Sequence, residues 1–214
     1  MISSHTITSL SVPYLDENRC NSDSGYSKSL QTVFKTSFLS GGGDVIDEVN
    51  LVDSGFNAED AVKSAIDNKA EAIVLVSNSE AFPQALEVIK ANKRKLPLLG
   101  GDSPYGSALL EKGGADAEGM VLAVPWHILA DPGAVFPKSA RQLWGGDMNW
   151  RTALTYDATQ ALIAGLEKDS SFEAKGASGT IRFLSSGDRN RATHLAKVSP
   201  DANAEHGFNF VPIR

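Results

Sequence analysis

Glu71-Ala72-Ile73-Val74-Leu75-Val76-Ser77-Asn78-Ser79 and Leu96-Pro97-Leu98-Leu99-Gly100-Gly101-Asp102-Ser103-Pro104-Tyr105-Gly106 decide the fold. Each is a short apolar run that ends in polar residues. Both read as buried parallel strands, and the run 71–76 is continuous and β-branched, as in a strand covered on both faces. Ligands of open α/β sheets bind in the crevice beyond the carboxyl ends of the strands. The hydroxyls of Ser77 and Ser79, the amide of Asn78, the carboxylate of Asp102 and the phenol of Tyr105 therefore fall on one candidate edge. That set of groups suits a small polar ligand.

The neighbouring residues supply the helices that such a sheet needs. The spacing predicts a helix over 26–39, with Leu30, Val33, Phe34 and Phe38 on one face. Gly41-Gly42-Gly43 stops it. Asp44 to Leu51 reads as a strand with Val45, Val49 and Leu51 on its apolar side. Asn57 caps a second helix, with Asp60 as a weaker capping-box partner, and Ala58, Ala61, Val62, Ala65 and Ile66 form its buried stripe. Ser79 is placed to cap a helix over 80–92, with Pro83 near its first turn and Ala85, Leu86 and Ile89 facing inward. Leu98-Leu99 is a strand, Ser107 to Lys112 a short helix, and Met120 to Val124 a strand stopped by Pro125. Regular alternation over 26–125 implies right-handed crossovers and an α/β fold, an open, mostly parallel sheet with helices on both faces.

The second half changes character. Asp131-Pro132-Gly133 opens a loop, a helix is expected over 134–144, and Gly145-Gly146 breaks it. Thr152 to Glu167 reads as a helix with Leu154, Ala158, Ala161, Leu162 and Gly165 on its packed side. Residues 168–178 are polar and rich in Gly and Ser. The apolar segments Thr180–Leu184, Thr193–Val198 and Phe208–Ile213 finish the chain, the first two separated by the turn Gly187-Asp188-Arg189-Asn190. The first 25 residues fit least well. Ile7 to Val12 suits a strand, but Pro13 interrupts it, and Leu15 to Cys20 is a poor strand.

Composition excludes several classes. The chain has 214 residues and a formal net charge of -6, which argues against a general nucleic-acid binder. No apolar run is long enough for a transmembrane helix, and Met1 to Leu10 carries neither the basic nor the apolar region of a signal peptide. Cys20 is the only cysteine, so no intramolecular disulfide is expected. His5, His127, His194 and His206 are scattered and make no metal-ligand set. There is no GxSxG, Walker A or GxGxxG motif. No catalytic residue, cofactor or metal is expected, and the chain reads as a non-enzyme.

Several stretches together resemble the type I periplasmic solute-binding proteins of ABC transporters, the branched-chain amino-acid-binding group in particular. They are Asn21 to Leu30, Ala70 to Leu75, Gly100-Gly101-Asp102, Ala117 to Val121, Ala153 to Ala158, and Gly176 to Phe183 with Gly187-Asp188-Arg189. The resemblance implies two lobes joined by crossings, with ligand held in the cleft between them. It implies that 1–125, completed by 180–214, is like the carboxyl-terminal lobe. Residues 126–179 would be a crossing segment and a helical remnant of the amino-terminal lobe. Most of that second lobe has no counterpart in this sequence. The implied function is binding a small amino acid or a related carboxylate, such as a 2-oxo acid. The implied partners are ABC-transporter membrane subunits, and the implied location is the periplasm.

The same resemblance implies that Asp102 meets the ligand's ammonium and that Tyr26 stands near the cleft. Each candidate has a plainer reading beside the functional one. Asp102 also suits a turn before Ser103-Pro104. Tyr26 also suits packing at a helix start. Ser77, Asn78 and Ser79 suit either an anion site or helix capping. Tyr105 either flanks the cleft or covers the sheet edge, and Trp126 and His127 suit packing or a hinge. Trp144, Met148 and Trp150 flank Gly145-Gly146-Asp147, and as an exposed apolar patch they would favour a homodimer. The alternative function is a non-catalytic structural or interaction protein, a reduced lobe that self-associates and binds no small ligand.

Overall fold

The computed structural model describes residues 9–14, 24–130, 135–167, 173–189 and 191–213. His5, the poor strand Leu15–Cys20, the loop Asp131-Pro132-Gly133 and Asn190 of the expected turn lie outside the described residues. The elements run β1 (Ser9–Tyr14), α1 (Ser24–Ser40), β2 (Asp44–Asn50), α2 (Ala58–Asp67), β3 (Ala72–Leu75), α3 (Phe82–Asn92), β4 (Leu98–Gly100) and α4 (Ser107–Gly113). They continue with β5 (Val121–Val124), α5 (Val135–Trp144), α6 (Trp150–Glu167), β6 (Ala174–Gly176), β7 (Gly179–Ile181), β8 (His194–Pro200) and β9 (Phe208–Ile213). The chain divides into two compact units, 1–122 with 197–211 and 123–196 with 212–214. The resemblance implied boundaries at 125 and 180.

The first unit is built on a seven-stranded sheet of order β2-β1-β3-β4-β5-β8-β9. The pairs β1–β2, β1–β3, β3–β4 and β4–β5 are parallel. β1 is the strand expected over Ile7–Val12, moved to Ser9–Tyr14, and Pro13 does not end it. Pro13 pairs with Val49 of β2, beyond Leu10 and Ser11, which pair with β3. Its missing N–H therefore withdraws no bond from the β3 side.

The order β2-β1-β3-β4 makes the chain turn one way after β1 and the other way after β3. Right-handed crossovers then place α1 on one face and α2 and α3 on the other. Leu30, Phe34 and Phe38 of α1 pack on Ala72, Val74 and Val76. Val33, expected on the same face, is exposed. Alternation turns Ile73 and Leu75 to the opposite face, where α2 packs beside α3. The whole run Ala72–Val76 is buried.

Asn57 caps α2 as its position implied, its side chain accepting from the N–H groups of Glu59 and Asp60 at 2.9 and 3.0 Å. Ala58, Ala61, Val62 and Ala65 are buried, but Ile66 lies at the edge of the stripe and is exposed. Ser79 does not cap α3. Ala81 holds that place without a side-chain cap, and Asn78 Oδ1 takes the Ala81 N–H at 2.9 Å instead.

The second unit packs Trp126, Ala153 and Ala177 with Ile128, Phe136 and Trp150. Phe136 of α5 meets Trp126 edge-on at 6.4 Å and Tyr156 of α6 at 4.8 Å between ring centroids. Trp126 and His127 are thus buried packing residues, and His127 Nδ1 accepts the Leu129 N–H at 3.1 Å. Residues 174–176, within the stretch that reads as polar and rich in Gly and Ser, form β6 and pair antiparallel with β7. Ala161 packs there with Ala174 and Ile181.

The buried side of α6 is Ala153, Asp157 and Ala161, whereas Ala158, Leu162 and Gly165 face outward. A carboxylate occupies the central inward position, which is why apolar spacing alone gives the wrong face. Asp157 accepts the Ala177 N–H at 2.5 Å, the Ser178 hydroxyl, and Arg189 Nη1 at 2.8 Å. Arg189 Nη2 also donates to Ser178 Oγ at 3.1 Å. Gly176 is needed beside it, because a Cβ there would lie 2.2 Å from Asp157 Oδ1.

Removing one partner of a buried, hydrogen-bonded pair strands the other charge. Asp157→Ala is expected to destabilise the protein by about 3–5 kcal/mol in urea unfolding. A loss below about 1 kcal/mol, the range of surface pairs, would show that this network does not hold the hairpin to α6.

Candidate functional site

The sheet order creates a switch point between β1 and β3, since the chain leaves these neighbouring strands toward opposite faces. In doubly wound sheets the ligand crevice lies at that point, outside the carboxyl ends. The pairing Leu75↔Gly100 brings the ends of β3 and β4 level. Residues 77–79 and 101–106 therefore leave the sheet from one edge, and α1 begins on the same side of the switch.

Tyr26, in the first turn of α1, donates its hydroxyl to Asp102 Oδ1. Gly101 makes this approach possible, because a Cβ there would sit 2.8 Å from both Tyr26 Oη and Leu30 Cδ2. Asp102 also opens a turn, its carbonyl accepting the Tyr105 N–H at 3.2 Å. The turn reading and the site reading of Asp102 are thus compatible: the backbone makes the turn while the side chain reaches α1.

Ser77 and Asn78 are buried at the end of β3, and Ser79 is exposed. Among the described residues, Ser77 Oγ has no hydrogen-bond partner. Tyr105 is buried and stacks on Phe210 of β9, with ring centroids 4.0 Å apart. Ser27 was missed from sequence. It is fully buried, and among the described residues its Oγ also lacks a partner. The available signal was a polar residue on the sheet-facing spacing of Leu30, Phe34 and Phe38. A polar groove of about 580 Å³, lined by Asp47, Asn50, Asp53, Asn57 and Asp60 among others, includes none of these residues.

Burial, then the hydrogen bond to Asp102 and its negative charge, push the Tyr26 phenol above its ordinary value of 10.0. Among the described residues, no group of three or more His, Cys, Asp or Glu could hold a metal ion. Among them, no helix is long and apolar enough to cross a membrane.

No family model matches the chain, and no curated protein matches it in sequence. Solved structures do match. A leucine-binding protein from Thermotoga maritima superposes with a TM-score of 0.76 at 21% identity, over 97% of this chain and 61% of its own. A leucine-, isoleucine-, valine-, threonine- and alanine-binding protein from Brucella ovis, in closed conformation, gives 0.74 at 14% identity, over 98% and 57%. An ABC-transporter solute-binding protein from R. palustris in complex with benzoate gives 0.73 at 13%, over 96% and 58%. The chain therefore has the type I periplasmic-binding-protein fold. It spans about 60% of the length of the solved structures it matches.

The raised Tyr26 pKa has a definite sign. The folded state holds the phenolic proton more tightly than the unfolded chain does. This contribution is present below the ordinary tyrosine value and is lost as pH climbs through the raised one. Tyr26→Phe is expected to flatten the alkaline limb of a stability-versus-pH curve relative to wild type. An unchanged slope above pH 10.0 would separate the phenol from Asp102.

Proposed function

We propose that the chain is the solute-binding component of an ABC-type transport system. It takes a small amino acid or related carboxylate at the carboxyl ends of β3 and β4. The observation that carries this reading is the Tyr26–Asp102 pair at the switch point. The phenol orients a carboxylate that a ligand ammonium would meet through a charge-assisted bond. Ser77 Oγ supports the reading, because a buried hydroxyl with no partner among the described residues is costly unless a bound group satisfies it. Asn78 is committed to the Ala81 N–H and holds the loop. Ser79 and Tyr105 would line the site's margin. The 1–125 lobe, completed by 180–214, would be the ligand-bearing one. Membrane subunits of the transporter would be the partners, and the periplasm the location.

A second reading, an interaction protein without a small ligand, is favoured by the exposed apolar side of α6. Calorimetry against amino acids, their 2-oxo acids and benzoate separates the two. Asp102→Asn is expected to weaken amino-acid binding by about tenfold to a hundredfold, the worth of a bond to a charged group. Ligands without an ammonium should be affected less. Wild-type protein that shows neither heat nor a melting-temperature rise with any of these at millimolar concentration would overturn the solute-binding reading.

A further inference from the structure

α6 turns its carboxylate inward and several apolar side chains outward. Beyond the exposed Arg151 of its first turn, Tyr156, Ala158, Leu162, Ile163, Gly165 and Leu166 face outward, with Thr155 and Thr159 between them. Thr155 and Thr159 turn their hydroxyls back onto the carbonyls of Arg151 and Thr155, at 2.8 and 3.0 Å. The hydroxyls are thus spent inside the helix. A contiguous exposed apolar patch of this kind marks an association surface.

The two ends of this face differ in shape. Toward the amino end, Thr152, Thr155, Tyr156 and Thr159, with Trp144 of α5 and Arg151, line a groove of about 460 Å³. Toward the carboxyl end, Leu162 and Leu166 protrude, 70% and 89% exposed. We infer that α6 pairs antiparallel with α6 of a second copy about a two-fold axis near Thr159. The Leu162–Leu166 end of each copy then enters the Trp144–Thr152 groove of the other.

Self-complementarity of this kind is what a two-fold interface requires, since each patch meets its own copy. Residue 166 lies as far from Thr159 as residue 152 does, so an antiparallel pair aligns knob with groove at both ends. Ala158 beside Thr159 lets the helices approach closely. Trp144, Tyr156, Leu162, Ile163 and Leu166 expose on the order of 600 Å² per copy, near the ~800 Å² that each partner gives to a standard interface. The surface differs from the one expected from sequence. Trp150 packs inside the unit and Met148 is half-buried, leaving Trp144 as the exposed member of that trio.

The test is the mass in solution of the full chain at tens of micromolar, by light scattering. Wild type is expected to be a dimer. Leu162→Lys with Leu166→Lys should weaken association at least tenfold without changing the circular dichroism spectrum, because both side chains are exposed. In a Cys20→Ser background, Thr159→Cys should cross-link through a short bifunctional maleimide, and Glu59→Cys on α2 should not. A monomeric wild type, a dimer that survives the double substitution, or equal cross-linking at both cysteines would overturn the proposal. So would a species in which one copy pairs with a different chain.

Discussion

Burial of Ala72–Val76 from both sides is the constraint on which the first unit depends. A strand with helices on each face has no solvent side, so its polar groups can lie only beyond its ends. α1 covers one face through Leu30, Phe34 and Phe38, and α2 and α3 cover the other. The chain must therefore leave β1 and β3 in opposite directions. The gap this opens is where Tyr26, Ser77 and Asp102 come to stand. Gly101 belongs to the same constraint, since any side chain there would push Tyr26 away from Asp102.

The second unit meets the same problem differently. Its central helix buries a carboxylate instead of an apolar residue. Asp157 is tolerated because two backbone N–H groups, a hydroxyl and a guanidinium converge on it. This explains why the stretches around Asp157 and Gly187-Asp188-Arg189 both stood out in the sequence. They are two halves of one ion pair, and their role is to hold the β6–β7 hairpin against α6. The cost of turning Asp157 inward is that an apolar face turns outward.

Much of the fold was legible because its signals are local. The β3 run, the Asn57 cap and the glycine stop after α1 each follow from a few adjacent residues. What was not legible depends on distant partners. Pro13 reads as a strand breaker until β1 is known to lack β3 at that height. The α6 register cannot be read without knowing that Arg189 reaches Asp157. Ser79 looks the better cap until Asn78 is seen to reach the Ala81 N–H. The candidate site divides in the same way. Asp102 and Ser77 follow from strand ends, and their meeting with α1 was visible only as a resemblance. Ser27 gave no sign beyond one polar residue on an apolar spacing.

The central claim is that the β1–β3 switch point takes a small carboxylate-bearing ligand. The most direct measurement is a titration of isotopically labelled protein with leucine and with benzoate, followed by amide chemical shifts. The expected result is saturable shifts confined to Tyr26–Ser27, Ser77–Ser79 and Gly101–Tyr105. Shifts that never saturate, or that fall instead along α2 or α6, would contradict it.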